Sequence, residues 1–289
     1  MLGVAGSVYP ERVKLPHPLT GELFESPVPP GTGWPEDPAV RRTPVARDAD
    51  EVVSLAGTDD LGELEARVSV CRACSRLVEW REDVAIGKRK SFADQPYWGR
   101  PIPGWGAAAP RILIAGLAPA ANGGNRTGRV FTGDRSGDWL FAALHRVGLA
   151  NQPTSEHAGD GLHLIGTRMI AAVRCAPPAN KPTPDERDTC APWFRRELEL
   201  VLPTTQAIIC LGKFGYDALL AGLASLGTTI PKPRPKFGHA VEHLLETPHG
   251  YVTVLGCFHP SQQNTFTGKL TEPMLDAVLT RAKTLADIP

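Results

Sequence analysis

The chain has 289 residues and a mass of 31.0 kDa, a size that suits one globular domain or one with a small appendage. Its 31 Lys+Arg equal its 31 Asp+Glu, which excludes a partner attracted by global positive charge alone but allows a local basic surface. Gly (29) and Pro (28) together exceed the roughly 12% of average composition, so shaped loops make up much of the chain. No apolar run approaches the roughly 20 residues of a membrane helix, and Met1-Leu-Gly-Val-Ala-Gly lacks the charged-then-apolar order of a signal peptide. The expectation is a cytoplasmic protein.

Nine prolines fall in the first 50 residues, without helical or alternating apolar period, and residues 1–50 read as an extended arm ahead of a domain over 51–289. Val52, Val53, Leu55, Leu61, Leu64 and Val68 recur at partly helical spacing, and Asp60 stands where it could cap a helix that delivers Cys71. From Arg111 onward short apolar runs alternate with helical stretches. Ile112-Leu-Ile-Ala115, Met169-Ile-Ala-Ala-Val173, Ala207-Ile-Ile-Cys-Leu211 and Tyr251-Val-Thr-Val-Leu255 are the strands. Helices are expected from about Gly137 to Val147, Pro184 to Leu200, Phe214 to Leu226 and Glu272 to Ala286. This alternation implies an α/β fold, a mostly parallel four-stranded sheet with helices on both faces. In such a fold ligands bind beyond the carboxyl ends of the strands, and every unusual loop of the sequence follows a strand.

The first loop is Gly-rich and joins a strand to a helix start, as a phosphate cradle does. It lacks both the GxxxxGK[ST] and the GxGxxG order, and a structural turn leaves Asn122, Asn125, Arg126, Asp134 and Arg135 unexplained. Asp134 precedes a helix, so a cap and a catalytic carboxylate both fit it. His259 stands on the expected rim with Pro260 holding it in extended backbone, and the other seven histidines have no zinc-ligand spacing. Six cysteines are too few for a disulfide scaffold of this length. Cys71 and Cys74 form a CxxC, Cys175 and Cys190 are separated by fourteen residues, and Cys210 and Cys257 sit inside apolar runs as core residues. On spacing alone the first four suit zinc, an iron-sulfur cluster or four unconnected thiols.

Gly116-Leu-Ala-Pro-Ala-Ala with Asn125-Arg-Thr-Gly-Arg-Val-Phe-Thr-Gly-Asp134, then Arg174-Cys-Ala-Pro-Pro-Ala-Asn-Lys-Pro182, and His259-Pro-Ser with Thr267-Gly-Lys-Leu-Thr271 resemble the motifs of the family 5 uracil-DNA glycosylases, the UDGb type. The resemblance spans about Cys71 to Ala286 and leaves the arm outside. It implies a 4Fe-4S cluster on Cys71, Cys74, Cys175 and Cys190, and excision of uracil, with tolerance for other deaminated or damaged bases. Leu117 and Ala118 are apolar where other families of the superfamily carry Asn, Asp or Glu to position water. The water-handling group must therefore lie elsewhere.

Such an enzyme must extrude the nucleotide into a pocket. By the same likeness Phe131 would stack on the base, beside Ala118, and Asn125 or Asn180 would read its edge. His259 would donate to a base oxygen, while Asp134 would hold water or face the cationic sugar. Ser261, Gln263, Asn264 and Lys269, with Gln262, Phe266 and Thr267 nearby, would contact DNA, through phosphates or in the gap left by the base. The expected partner is damaged DNA and the expected state a monomer beside the nucleoid. The competing readings are a non-catalytic iron-sulfur DNA-binding module and an enzyme of free nucleotides.

Overall fold

The computed structural model describes residues 13–289, so residues 1–12 of the expected arm lie outside the described part. Two short strands, β1 (Leu15–Pro16) and β2 (Leu23–Phe24), come first, then helices α1 (Ala49–Ala56), α2 (Leu61–Ser69) and α3 (Ser75–Gly87). The sheet region follows with β3 (Trp105–Gly106), β4 (Ile112–Gly116), α4 (Gly124–Thr127), α5 (Arg135–Arg146) and β5 (Thr167–Ala171). It continues through α6 (Pro184–Val201), β6 (Ala207–Leu211), α7 (Lys213–Ser225), β7 (Glu242–Thr247), β8 (Gly250–Cys257), α8 (Gln262–Phe266) and α9 (Glu272–Leu285).

β4, β5 and β6 are buried at every position, as strands covered on both faces must be. With β8 they form the parallel centre of the sheet. The full order is β3-β5-β4-β6-β8-β7, so the sheet has six strands where the apolar runs give four. The two additions, β3 against β5 and β7 against β8, are antiparallel edges. An edge strand needs no continuous apolar run, and β7 (Glu-His-Leu-Leu-Glu-Thr) buries only Leu245 and Thr247.

Alternate residues of the central strands face opposite cores. Ile112, Ile114, Met169, Ile209 and Leu211 join α5 and α9 on one side, while Leu113, Ile170, Ile208 and Cys210 join α6 and α7 on the other. A third core gathers Val52 of α1, Leu64 and Val68 of α2, and Trp193 of α6. Asp48, Asp60 and Asp134 cap their helices, and Thr183 with Glu186 forms a capping box ahead of α6. Residues 13–47 have little regular structure, yet Phe24, Val28 and Trp34 are buried in the first core. The Asp37–Arg100 pair, at 2.6 Å and buried, ties the same stretch to the body.

Candidate active site

The loops that leave the central strands meet on one rim. β4 ends at Gly116, where an added Cβ would stand 2.6 Å from the Phe131 ring; only glycine lets the returning loop lay this ring over the strand end. Phe131 has φ 54, a left-handed conformation that is strained for an aromatic residue and concentrates at functional sites. Its ring centroid is 6.3 Å from that of His259, just beyond β8. Gly212, after β6, closes the third side, since a Cβ there would meet the His259 Cβ at 3.5 Å. Burial holds the His259 pKa below the ordinary 6.5, and the negative charge of Asp134 pulls it partly back. The ring is therefore neutral at pH 7, with one N–H to donate.

Asp134 caps α5: its Oδ1 accepts from the Gly137 amide at 3.0 Å. Its Oδ2 lies over Gly123, where an added Cβ would sit 2.4 Å away, and the residue lines a cavity of about 710 Å³. Asn180 and Gln262 reach the same cavity from the loops after β5 and β8. Ala179 and Asn180 are both left-handed, at φ 51 and 56, a conformation Asn adopts more readily than most residues.

Other expected residues lie elsewhere. Asn125 is buried and absent from the cavity wall; its Nδ2 donates to the Arg81 carbonyl at 3.1 Å. Ala118 packs against the third core. Asn264 donates its Nδ2 to the His259 carbonyl at 2.9 Å and so holds the histidine's loop, while Ser261 caps α8. Gln263 and Lys269 are exposed on the rim, with the Lys269 ammonium 4.9 Å above the Phe258 ring.

The cavity also has walls that sequence reading did not supply. Arg126 is buried, stacks on Phe92 at 4.0 Å, and donates to Gln95 Oε1, Asn122 O and Gly133 O. The last of these bonds braces the residue before Asp134. Arg126 was visible inside its motif, whereas Phe92 and Gln95 lie in a stretch without period or motif. Pro18 and Leu19 close part of the wall from the arm.

A model of the uracil DNA glycosylase superfamily matches residues 103–283. The type-5 uracil-DNA glycosylase of Mycobacterium tuberculosis is 58% identical over 273 residues, 94% of this chain and 99% of that protein. The chain belongs to the type-5 uracil-DNA glycosylase family. The family likeness therefore takes in most of residues 1–50, well beyond the Cys71–Ala286 span carried by the motifs. The type-5 uracil-DNA glycosylase of Thermus thermophilus is 46% identical over 221 residues, 76% of this chain and 96% of the other. The type-4 uracil-DNA glycosylase of Archaeoglobus fulgidus is 27% identical over 161 residues, 55% and 70% of the two chains.

As in its sequence, this family member keeps four cysteines apart from the other two. Cys71 and Cys74 lie between α2 and α3, Cys175 follows β5 and Cys190 is on α6, and all four line one small pocket with Val52, Leu77 and Trp193. Burial, and then the neighbouring thiols, pushes Cys74 up to about 12. Burial also raises Cys175 to about 11, against the nearby Arg81 cation, and raises Cys190 further. Among the described residues no three His, Cys, Asp or Glu side chains stand close enough for a single metal ion. Around the pocket, however, buried donors lack acceptors. Trp193 Nε1, Arg81 Nε, and Arg174 Nε and Nη1 have no partner among the described residues, and Arg81 Nη1 lies 3.8 Å from Cys175 Sγ. Arg174 Nη2 is 2.6 Å from Glu197 Oε2 but poorly aligned for a hydrogen bond. Cys210 and Cys257 are fully buried in the sheet cores.

Proposed function

We propose that the protein is a DNA-repair glycosylase that extrudes uracil, and other deaminated or damaged bases, and hydrolyses the N-glycosidic bond to leave an abasic site. The observation that carries this reading is the pairing of the Phe131 ring with a neutral His259 at the strand ends, within reach of the Asp134 charge, while Asp134 itself lines the neighbouring cavity. The Phe131 ring stacks on the extruded base, and Asn180 reads its edge. His259 donates its N–H to a base oxygen as negative charge develops there. The free Asp134 oxygen orients water and faces the cationic sugar. Lys269 and Gln263 meet the DNA backbone along the exposed rim, while Ser261 and Asn264 shape the loop that carries His259.

The decisive experiment compares labelled uracil-containing DNA with free dUMP as substrates. Uracil release from DNA alone is expected, and turnover of dUMP would replace this reading by a nucleotide enzyme. His259→Ala should slow single-turnover excision roughly a hundredfold or more, the usual cost of losing a donor aimed at developing charge, while binding abasic DNA normally. Unchanged excision would make the histidine structural.

The type-5 reading includes a 4Fe-4S cluster held by Cys71, Cys74, Cys175 and Cys190. The orphaned donors around the thiol pocket support it, because thiolates and inorganic sulfide are acceptors and a net negative group would balance the buried Arg81. When bound, such a cluster cross-links three chain segments and can exchange an electron. Protein purified without oxygen should be brown, with iron and sulfide in cluster stoichiometry. Cys71→Ser should lose the colour, and Cys210→Ala should keep it. A colourless, zinc-loaded protein would contradict the assignment.

A further inference from the structure

Between α7 and β7 the chain reads Ile230-Pro-Lys-Pro-Arg-Pro-Lys-Phe237. From Thr228 to Val241 it carries Lys232, Arg234 and Lys236 and no Asp or Glu, in a protein of formal net charge 0. Proline at every second position removes backbone donors and bars helix, and residues 231–236 lie in neither helix nor strand. The three cations are exposed. Asp217 lends Arg234 only its backbone carbonyl and gives its carboxylate to Lys213.

This stretch meets the catalytic rim at two places, at its middle and at its carboxyl end. At the middle Arg234 enters a groove of about 860 Å³ between α6 and α7, beside Arg187, Arg195, Lys213 and Phe214, with Asp188 and Asp217 also on the wall. Phe214 is 62% exposed, and Lys213 directly follows the Gly212 that abuts His259. At the carboxyl end the rings of Phe237 and His239 lie 6.3 and 5.1 Å from Phe258. The Phe258 amide donates to His239 Nδ1, and Phe258 precedes His259. A basic track with an exposed aromatic side chain thus leads from the base cavity outward over α7.

We propose that the α6–α7 groove and the Pro231–Lys236 stretch form a second DNA subsite, which holds the single strand flanking the extruded nucleotide. The cations take its phosphates and Phe214 stacks one base, the combination by which proteins track single strands. This subsite rests on the glycosylase reading. An acidic peptide would also suit cations beside an apolar groove, but continuity with the two strand-end loops that flank His259, at Lys213 and at Phe258, favours DNA.

The test uses the full chain with single-stranded DNA carrying one abasic-site analogue, the flanks lengthened in turn on the 5′ and 3′ sides. Wild-type affinity should rise with flank length on one side. The K232A/R234A/K236A variant should lose that rise, and its dependence of log affinity on log salt should flatten by about two, at roughly 0.7 per single-strand phosphate. Phe214→Ala should bind long strands about tenfold more weakly. Both variants should bind the shortest strand, and excise uracil at saturating DNA, as the wild type does. An unchanged length dependence and salt slope would overturn the proposal. So would variants that bind every strand normally yet lose an Asp/Glu-rich peptide that the wild type binds, since the track would then serve a protein partner. Failure of the glycosylase reading looks different: uracil would stay in every strand while the length dependence of binding remained measurable.

Discussion

A carboxylate that caps a helix uses one oxygen, and Asp134 has two. Oδ1 accepts the Gly137 amide, while Oδ2 lies over Gly123 beside the cavity. Position before a helix is legible in sequence; the freedom of the second oxygen is not, because it depends on the close approach of a glycine eleven residues upstream. The two roles separate by substitution. Capping needs only an acceptor, and Asn caps about as well as Asp, so Asp134→Asn should melt within a degree or two of wild type. Orienting water or facing a cationic sugar needs charge, so the same variant should excise uracil roughly a hundredfold more slowly in single turnover, the scale of a positioned catalytic group. Full activity would leave capping as the residue's only role. Asn125 shows the converse limit. Its place in the motif invites a base-reading role, whereas burial and its bond to the Arg81 carbonyl make it a tie between the motif loop and α3, the helix that starts just after Cys74.

At the level of elements, the four central strands and the helices between them were legible because burial on both faces forces continuous apolar runs. β6 spans the apolar run itself, and α6 and α9 end within a residue of expectation. The edges β3 and β7 escaped because one face of each needs no apolar side chain. Buried charge was equally hidden. Glu197 on α6 lies 2.6 Å from both Arg168 of β5 and Arg174, all three side chains about 1% exposed, and Glu65 of α2 also pairs with Arg168. Gly104 allows this, since a Cβ there would stand 1.7 Å from Glu197 Oε1. Breaking a buried network by removing one partner leaves charge uncompensated, at about 3–5 kcal/mol. Glu197→Gln keeps the shape and removes the charge that two arginines share, so its urea midpoint should fall by an amount corresponding to several kcal/mol with the denaturant slope unchanged. A midpoint near that of wild type would show that water or Glu65 compensates the arginines.

Over the whole molecule, residues 13–47 act as part of the wall of the site, and a pair of histidines fastens them there. His17 Nε2 and His157 Nδ1 are 2.9 Å apart, packed against Trp34, with His157 and the neighbouring Pro18 and Leu19 lining the cavity. His17 Nδ1 also accepts from the Leu19 and Thr20 amides, so its proton sits on Nε2 and is donated to an unprotonated His157 Nδ1, an arrangement of two neutral rings. Burial accordingly lowers His17 from 6.5 to about 4 and His157 from 6.5 to about 3. For His157 the positive charges of His17, Arg126 and Arg129 act in the same direction, and Asp160 opposes them. Both pKa values are depressed in the fold, so the unfolded chain binds more protons below pH 6.5. The stabilisation is complete above that pH, declines as the pH falls through the window from 6.5 to about 4, and is lost once the folded values are passed. The melting temperature of the wild type should therefore drop between pH 7.5 and 4.5 by more than that of His17→Phe/His157→Phe, which has no ring to protonate. A loss of cavity shape should accompany it, seen as weaker binding of abasic DNA at pH 5 in the wild type than in the double variant, each relative to its own value at pH 7.5. Parallel melting curves in the two proteins would assign the acid sensitivity to other groups and leave the histidine pair as packing alone.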